Sequence, residues 1–101
     1  MQMHVLMLNL DSVKKYLSGQ PVLKAWLFGS YARGEETSSS DVDILVEFDK
    51  KERIGLLRYA DIILHLEQIL KKKVDLVSEG ALYPDIKPYV DMDKILIYER
   101  G

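Results

Sequence analysis

The sequence has no cysteine among its 101 residues. That rules out disulfides and thiolate metal sites, makes zinc a poor expectation, and suits a reducing cytosol. Positive charge is not in excess either: 14 Lys and Arg against 16 Asp and Glu give a formal net charge of −2 and a pI near 5.6. A general nucleic-acid binder would usually carry a basic stripe. The one basic cluster, Lys71-Lys72-Lys73, reads instead as a helix C-terminus complementing its dipole. There is no internal repeat, no low-complexity linker and no apolar run long enough to span a bilayer. The N-terminal Met1-Gln2-Met3-His4-Val5-Leu6-Met7-Leu8 lacks a positive leading region and a small-residue cleavage site, so the expected location is the cytoplasm, with no membrane partner. What the chain does contain, 48% hydrophobic and 30% charged residues, fits a single soluble domain over 1–101 with one modest core and no room for a second, substrate-binding domain.

The informative stretch runs from Trp26 to Phe48. Val22 to Phe28 reads as a short buried strand that stops at Gly29-Ser30, where small residues let the backbone turn and approach a ligand closely. Tyr31-Ala32-Arg33 then starts a helical turn, whose N–H groups, with the Ser30 hydroxyl, would make a phosphate cradle. By itself the Gly-Ser pair is better read as an ordinary tight turn. Ser40 to Val46 reads as a second strand, with Asp41 and Asp43 on one face and Val42 and Ile44 on the other. Like charges at neighbouring same-face positions repel, and Asp has poor strand propensity, so neither side chain helps folding. Solvation at a strand start would explain them. So would Mg²⁺, which takes oxygen ligands, typically one or two carboxylates plus substrate phosphates.

The order Gly29-Ser30, Gly34, Ser40-Asp41, Asp43 resembles the G-S-x3-G-x5-S-D-x-D signature of the polymerase-beta-type nucleotidyltransferase superfamily. The fuller string from Gly29 to Phe48 is similar to its minimal nucleotidyltransferase branch, encoded beside HEPN-domain toxins, and the likeness covers the chain from the first helix to about Ala81. The resemblance implies an α/β fold of the α+β type, a small mixed sheet with helices packed on it. It also implies a third carboxylate from the strand after the long helix. Asp75 is the candidate there, although a lone Asp in a short strand is also a common guard of a sheet edge.

Elsewhere the chain reads as support. Asn9 or Asp11 would cap a first helix carrying Val13, Tyr16 and Leu17, ended by Gly19 and Pro21. His4 has no partner in sequence. Asp49 and Glu52 resemble a capping box opening a helix to about Leu70, although Gly55 weakens its first turn. Leu56, Ala60, Ile63 and Leu70 form one stripe, and Leu57, Ile62, Leu66 and Ile69 widen it, as burial on two sides or a protein-binding surface would require. His65 and Glu67 read as surface residues. Lys73 to Val77 is a third strand. Ser78 would cap a turn into Gly80-Ala81, followed by a short helix near Asp85 to Asp91 and a strand from Ile95 to Tyr98. Asp91 and Asp93 read as solvated helix-end acids, and Glu35 and Glu36 as solvated loop charges.

Taken with the resemblance, these residues imply nucleotidyl transfer from Mg²⁺-ATP to a hydroxyl. Two Mg²⁺ ions about 3.5–4 Å apart would serve the reaction, held by Asp41, Asp43 and Asp75. Gly29 and Ser30 would hold the β- and γ-phosphates. Arg33 would face developing phosphate charge, or be a simple surface residue. The implied partner is a HEPN ribonuclease toxin, adenylylated on a tyrosine and held as a hetero-oligomer by this chain as antitoxin. Two alternatives stay open: a catalytically silent antitoxin acting by binding alone, and a small-molecule nucleotidyltransferase, for which the missing second domain leaves no drug pocket.

Overall fold

The computed structural model describes residues 8–101, so the unassigned N-terminal segment and His4 fall outside the described residues, except for the buried Leu8. Helix α1 (Leu10–Leu17) is capped by Asn9, whose side-chain oxygen accepts the Ser12 N–H at 3.3 Å. Asp11 lies within the first turn, where its charge suits the helix dipole. Strand β1 (Val22–Phe28) follows, then a five-residue helix α2 (Gly29–Arg33), strand β2 (Val42–Phe48), the long helix α3 (Leu56–Leu70) and strand β3 (Val74–Ser78). A 3-10 turn at Glu79–Ala81, helix α4 (Lys87–Asp93) and strand β4 (Ile95–Glu99) complete the order. Ser78 precedes that turn without a side-chain capping bond. Pro88 sits in the first turn of α4, where a missing N–H costs nothing, and sets its start later than the expected Asp85.

The four strands form one mixed sheet in the order β3-β2-β1-β4, the small mixed sheet with helices that was expected. β1 is antiparallel to both β2 and β4, while β2 and β3 are parallel and joined by α3, the kind of crossover that parallel neighbours need. Alternation then gives the sheet two different faces. Ala25, Leu27, Val42, Ile44, Val46 and Leu76 turn to α1 and α3 and bury with Val13, Leu17, Ile62, Leu66 and Leu70 in one core. Trp26, Phe28, Asp43, Leu45 and Asp75 turn to the other face, where Lys94 of the α4–β4 junction lies 4.5 Å over the Trp26 ring.

The long helix departs from expectation in two ways. Asp49 does not cap it: the Asp49 carboxylate accepts the Lys51 N–H at 3.0 Å and pairs with Arg100 at 2.8 Å, closing a local turn, and α3 begins only after Gly55, with no side-chain cap. Its buried stripe is also rotated. Ile62, Leu66 and Leu70 are buried, with Tyr59, Ile63 and Ile69 against the core, whereas Leu56 and Leu57 are 84% and 88% exposed. The cause is Tyr59: its ring packs on Phe48 with centroids 6.1 Å apart and its hydroxyl donates to the Leu76 carbonyl, turning that side of the helix inward. Glu67 and His65 likewise have partners. The Glu67 carboxylate accepts the Val74 N–H at 3.0 Å, and His65 stacks on Tyr16 at 5.0 Å. Lys71 ends α3 in the left-handed conformation at φ 59°, so the lysine run lies at and beyond the helix end. Among the described residues no helix is long and apolar enough to cross a membrane.

The rotated stripe makes a direct prediction. Ile62→Ala should lower unfolding stability by about 2–5 kcal/mol, as for a large core side chain. Leu57→Ala should change it by less than about 0.5 kcal/mol, as for an exposed position. Urea denaturation of both variants measures the contrast, and equal losses would contradict the observed helix orientation.

Candidate active site

The site is built where β1 ends. Gly29 adopts φ +69° and Gly34 φ +71°, so α2 is bracketed by two left-handed residues. At Gly29 the requirement is double, because a side-chain carbon there would also overlap the Asp43 carboxylate. Asp43 therefore lies directly against the backbone of the turn. Buried Tyr31 anchors α2 in the core, and the Glu35 N–H returns to the Ser30 carbonyl at 2.9 Å. That leaves Ser30 half-buried at the first turn of a helix whose N-terminus no side chain caps.

Asp43 is registered opposite Phe28 on β1 and opposite Asp75 on β3. Neighbouring strands lie about 4.8 Å apart, and side chains in register share a face, so two carboxylates confront one another across the parallel pair. Burial pushes the Asp43 carboxyl up to about 6, helped by Asp75 and then Asp41, with Arg33 opposing. Asp75 also helps burial to raise the Tyr59 phenol.

Asp41 differs from expectation: β2 begins at Val42, so Asp41 is an exposed residue just before the strand rather than part of it. The preceding Thr37-to-Ser40 loop explains the late start, since the Thr37 N–H donates to the Ser40 hydroxyl at 2.8 Å and turns the chain before it can extend. Asp75 is exposed on the outer strand of the sheet, so it is at once an edge acid and a carboxylate facing Asp43. Among the described residues none of the three aspartates forms an ion pair with a Lys, Arg or His.

The donor set fits a hard divalent cation. Asp41 and Asp75 both act on Asp43 with no basic partner in contact, and magnesium accepts one or two carboxylates when substrate phosphates supply further oxygens. Among the described residues no three His, Cys, Asp or Glu side chains stand close enough to hold a metal by themselves, which leaves such an ion dependent on oxygens brought by the substrate.

The structure thus gathers Gly29, Ser30, Asp43 and Asp75, with Asp41 at the margin and Arg33 within electrostatic reach. The Arg33 guanidinium donates to Glu35 at 3.0 Å and comes within 4.0 Å of Asp93, so two acids read as free loop or helix-end charges in fact flank it. Asp91 is paired with Lys87 and Lys94. Glu36 is half-buried and lines a cavity of about 350 Å³ with Leu8, Tyr31 and Leu70. The share of α4 in the site was not visible in the sequence. Its residues carry no motif, and only the β1–β4 pairing brings them beside Gly29.

The raised Asp43 carboxyl makes stability depend on pH in a definite sense. The folded state binds a proton at about 6 where the unfolded chain does so near its ordinary 3.8. Between those values the folded state holds more protons, so unfolding stability falls as pH rises and stays lower above about pH 6. Asp43→Asn should remove this fall, leaving the variant more stable than the wild type at about pH 7.5 and closer to it at about pH 4. Urea denaturation across that range reads the difference. A wild-type curve with no decline between about pH 4 and pH 6 would contradict the strained carboxylate pair.

Known proteins share this architecture. The family profile described as Nucleotidyltransferase domain matches residues 10–99. A provisionally named protein adenylyltransferase of Methanocaldococcus jannaschii is 44% identical over 72 residues, 70% of this chain and 72% of that protein. Among solved structures, one assigned provisionally as a minimal nucleotidyltransferase superposes with a TM-score of 0.76 at 34% identity, covering 94% of this chain and 95% of that one. A chain of a toxin-antitoxin structure with AMP-PNP superposes with a TM-score of 0.76 at 23% identity, covering 93% and 76%. A chain from a tri-AMPylated Shewanella oneidensis HEPN toxin in complex with its minimal nucleotidyltransferase antitoxin gives 0.66 at 20% identity, covering 96% and 73%. At these last two identities the likeness is one of fold.

Proposed function

The chain belongs to the nucleotidyltransferase family, and on that premise we propose that it is a Mg²⁺-dependent protein adenylyltransferase. It transfers AMP from ATP to a tyrosine hydroxyl of a HEPN-domain ribonuclease toxin that it binds as antitoxin. The relative named a protein adenylyltransferase supports the class of reaction. The structures with AMP-PNP and with an AMPylated HEPN toxin support the nucleotide and the partner. The observation that carries the reading is the opposition of Asp43 and Asp75 across β2 and β3, with Asp43 packed on Gly29. A fold gains nothing from facing like charges, whereas a site for a cation and a polyphosphate needs them.

Each residue has a task in that reaction. Gly29 brings the end of β1 close to the phosphates, and the Ser30 hydroxyl donates to a β- or γ-phosphate oxygen. Arg33 offers its guanidinium to the charge that gathers on departing pyrophosphate. Asp41, Asp43 and Asp75 are the side chains that would hold magnesium, which when bound supplies charge neutralisation on the phosphate oxygens. The acceptor oxygen bonds to the α-phosphorus as the bond to the bridging oxygen of pyrophosphate breaks. Asp75, exposed on the edge strand, takes the acceptor's proton.

Ser30→Ala should weaken ATP binding roughly tenfold to a hundredfold, the equivalent of one hydrogen bond to a charged oxygen, with unfolding stability nearly unchanged. Calorimetric titration with Mg²⁺-ATP gives the answer, and an unaltered affinity in the folded variant would remove Ser30 from the site. Asp75→Asn separates catalysis from binding. Intact-mass measurement of the co-purified toxin after incubation with ATP should show added adenylyl groups with the wild type and none with Asp75→Asn, while complex formation survives. If neither protein changes the toxin's mass yet both neutralise it equally, the chain is an antitoxin by binding alone.

A further inference from the structure

Phe28, registered opposite Asp43, is also one wall of a cavity of about 240 Å³ between α4 and the turn that opens α2. Ile86, Tyr89, Val90 and Asp93 form the far walls, and Gly29 and Arg33 border it on the side of the turn. Tyr89 is 71% and Ile86 46% exposed, so α4 presents large apolar groups that the fold itself leaves partly uncovered.

We propose that this cavity is the nucleobase subsite, in which the planar heteroaromatic ring of the nucleoside triphosphate stacks on Tyr89 while its phosphates lie on the Gly29–Arg33 turn. The inference rests on the nucleotide reaction proposed above. Position favours it first. Gly29 belongs to both the turn and the cavity wall, and Phe28 is one strand spacing, about 4.8 Å, from Asp43, so a ribose suffices to join an α-phosphate beside Asp43 to a base in the slot. Size favours it next: clefts that enclose whole ligands run to about 300–1,000 Å³, and this one suits a single ring system. Chemistry favours it as well, because an aromatic face holds any base through its π-surface. Neither of the larger cavities, one bordered by Tyr31 and Leu70 on the helix-covered side where those residues join the core and one along β4 beside Lys14, is lined by Phe28 or Gly29. An aromatic side chain of a protein acceptor would fit the same walls, and the experiment separates the two occupants.

Calorimetric titrations with Mg²⁺-ATP and with Mg²⁺-tripolyphosphate, on the wild type, Tyr89→Ala and Tyr89→Phe, test the assignment. Tyr89→Ala should bind ATP about tenfold more weakly, the loss of one base–aromatic stack, with tripolyphosphate affinity unchanged. Tyr89→Phe should match the wild type on both ligands. Unchanged ATP affinity in Tyr89→Ala overturns the proposal and leaves the slot to an acceptor side chain. Equal losses on ATP and tripolyphosphate overturn it too, because Tyr89 would then act through the turn or the fold. If the wild type binds neither ligand, the nucleotide reading itself fails and the subsite fails with it.

Discussion

Asp75 is exposed on the outermost strand of the sheet, and it faces Asp43 in register. Val74 and Leu76 tie β3 to the core, yet an edge strand bonds on one side only and like charges across a pair drive the strands apart. Further restraint comes from α3. Glu67 accepts the Val74 N–H, and Tyr59 donates to the Leu76 carbonyl, so the backbone is fastened on either side of Asp75 by side chains of one helix. Ile62, Leu66 and Leu70 in turn fasten that helix to the sheet. The rest of the molecule can be read as what makes this arrangement tolerable: the covered face of the sheet supplies the stability, and the other face carries the charge that works against it.

That division of labour explains what could be read in the sequence. Val22–Phe28 was legible because it is an apolar run ended by glycine, and Asp43 because a carboxylate amid Val42, Ile44, Leu45 and Val46 does nothing for folding. Gly29 was legible as a turn. Its packing against Asp43 was not, because that closeness depends on strand register, which no local pattern specifies. The face of α3 was misread for a related reason. The apolar stripe was drawn through Leu56, with burial and a binding surface both left open, whereas a tyrosine with a polar tip and a long-range partner decided the rotation. Asp49 shows the limit of capping signals, since a carboxylate that can close a turn and pair with Arg100 has no need to start a helix. Asp93 and Tyr89 belong to a segment with no motif, and they reach the site only through the pairing of β1 with β4.

The turn at the end of β1 is built on the same economy of space. A residue larger than glycine at position 29 would have to displace the Asp43 carboxylate, so turn and carboxylate specify each other. Buried Tyr31 fixes the short helix from beneath, and the contacts of Arg33 with Glu35 and Asp93 reach toward α4. A helix of five residues has little stability of its own. Its geometry is borrowed from the strand before it, the core below it and the helix beside it.

The strand order has a kinetic side as well. β1 pairs with β2 over a short intervening segment, but its other edge meets β4, with Lys24 opposite Glu99, so the second pairing must close a loop spanning most of the chain. Loop-closure entropy and the slowing effect of distant contacts favour the nearer pairing first. The turn and Asp43 then come together in the opening stage of folding, while the α4 wall beside them arrives only when β4 docks. A chain caught between those stages would have its Gly29-Ser30 turn formed and the cavity next to it still open.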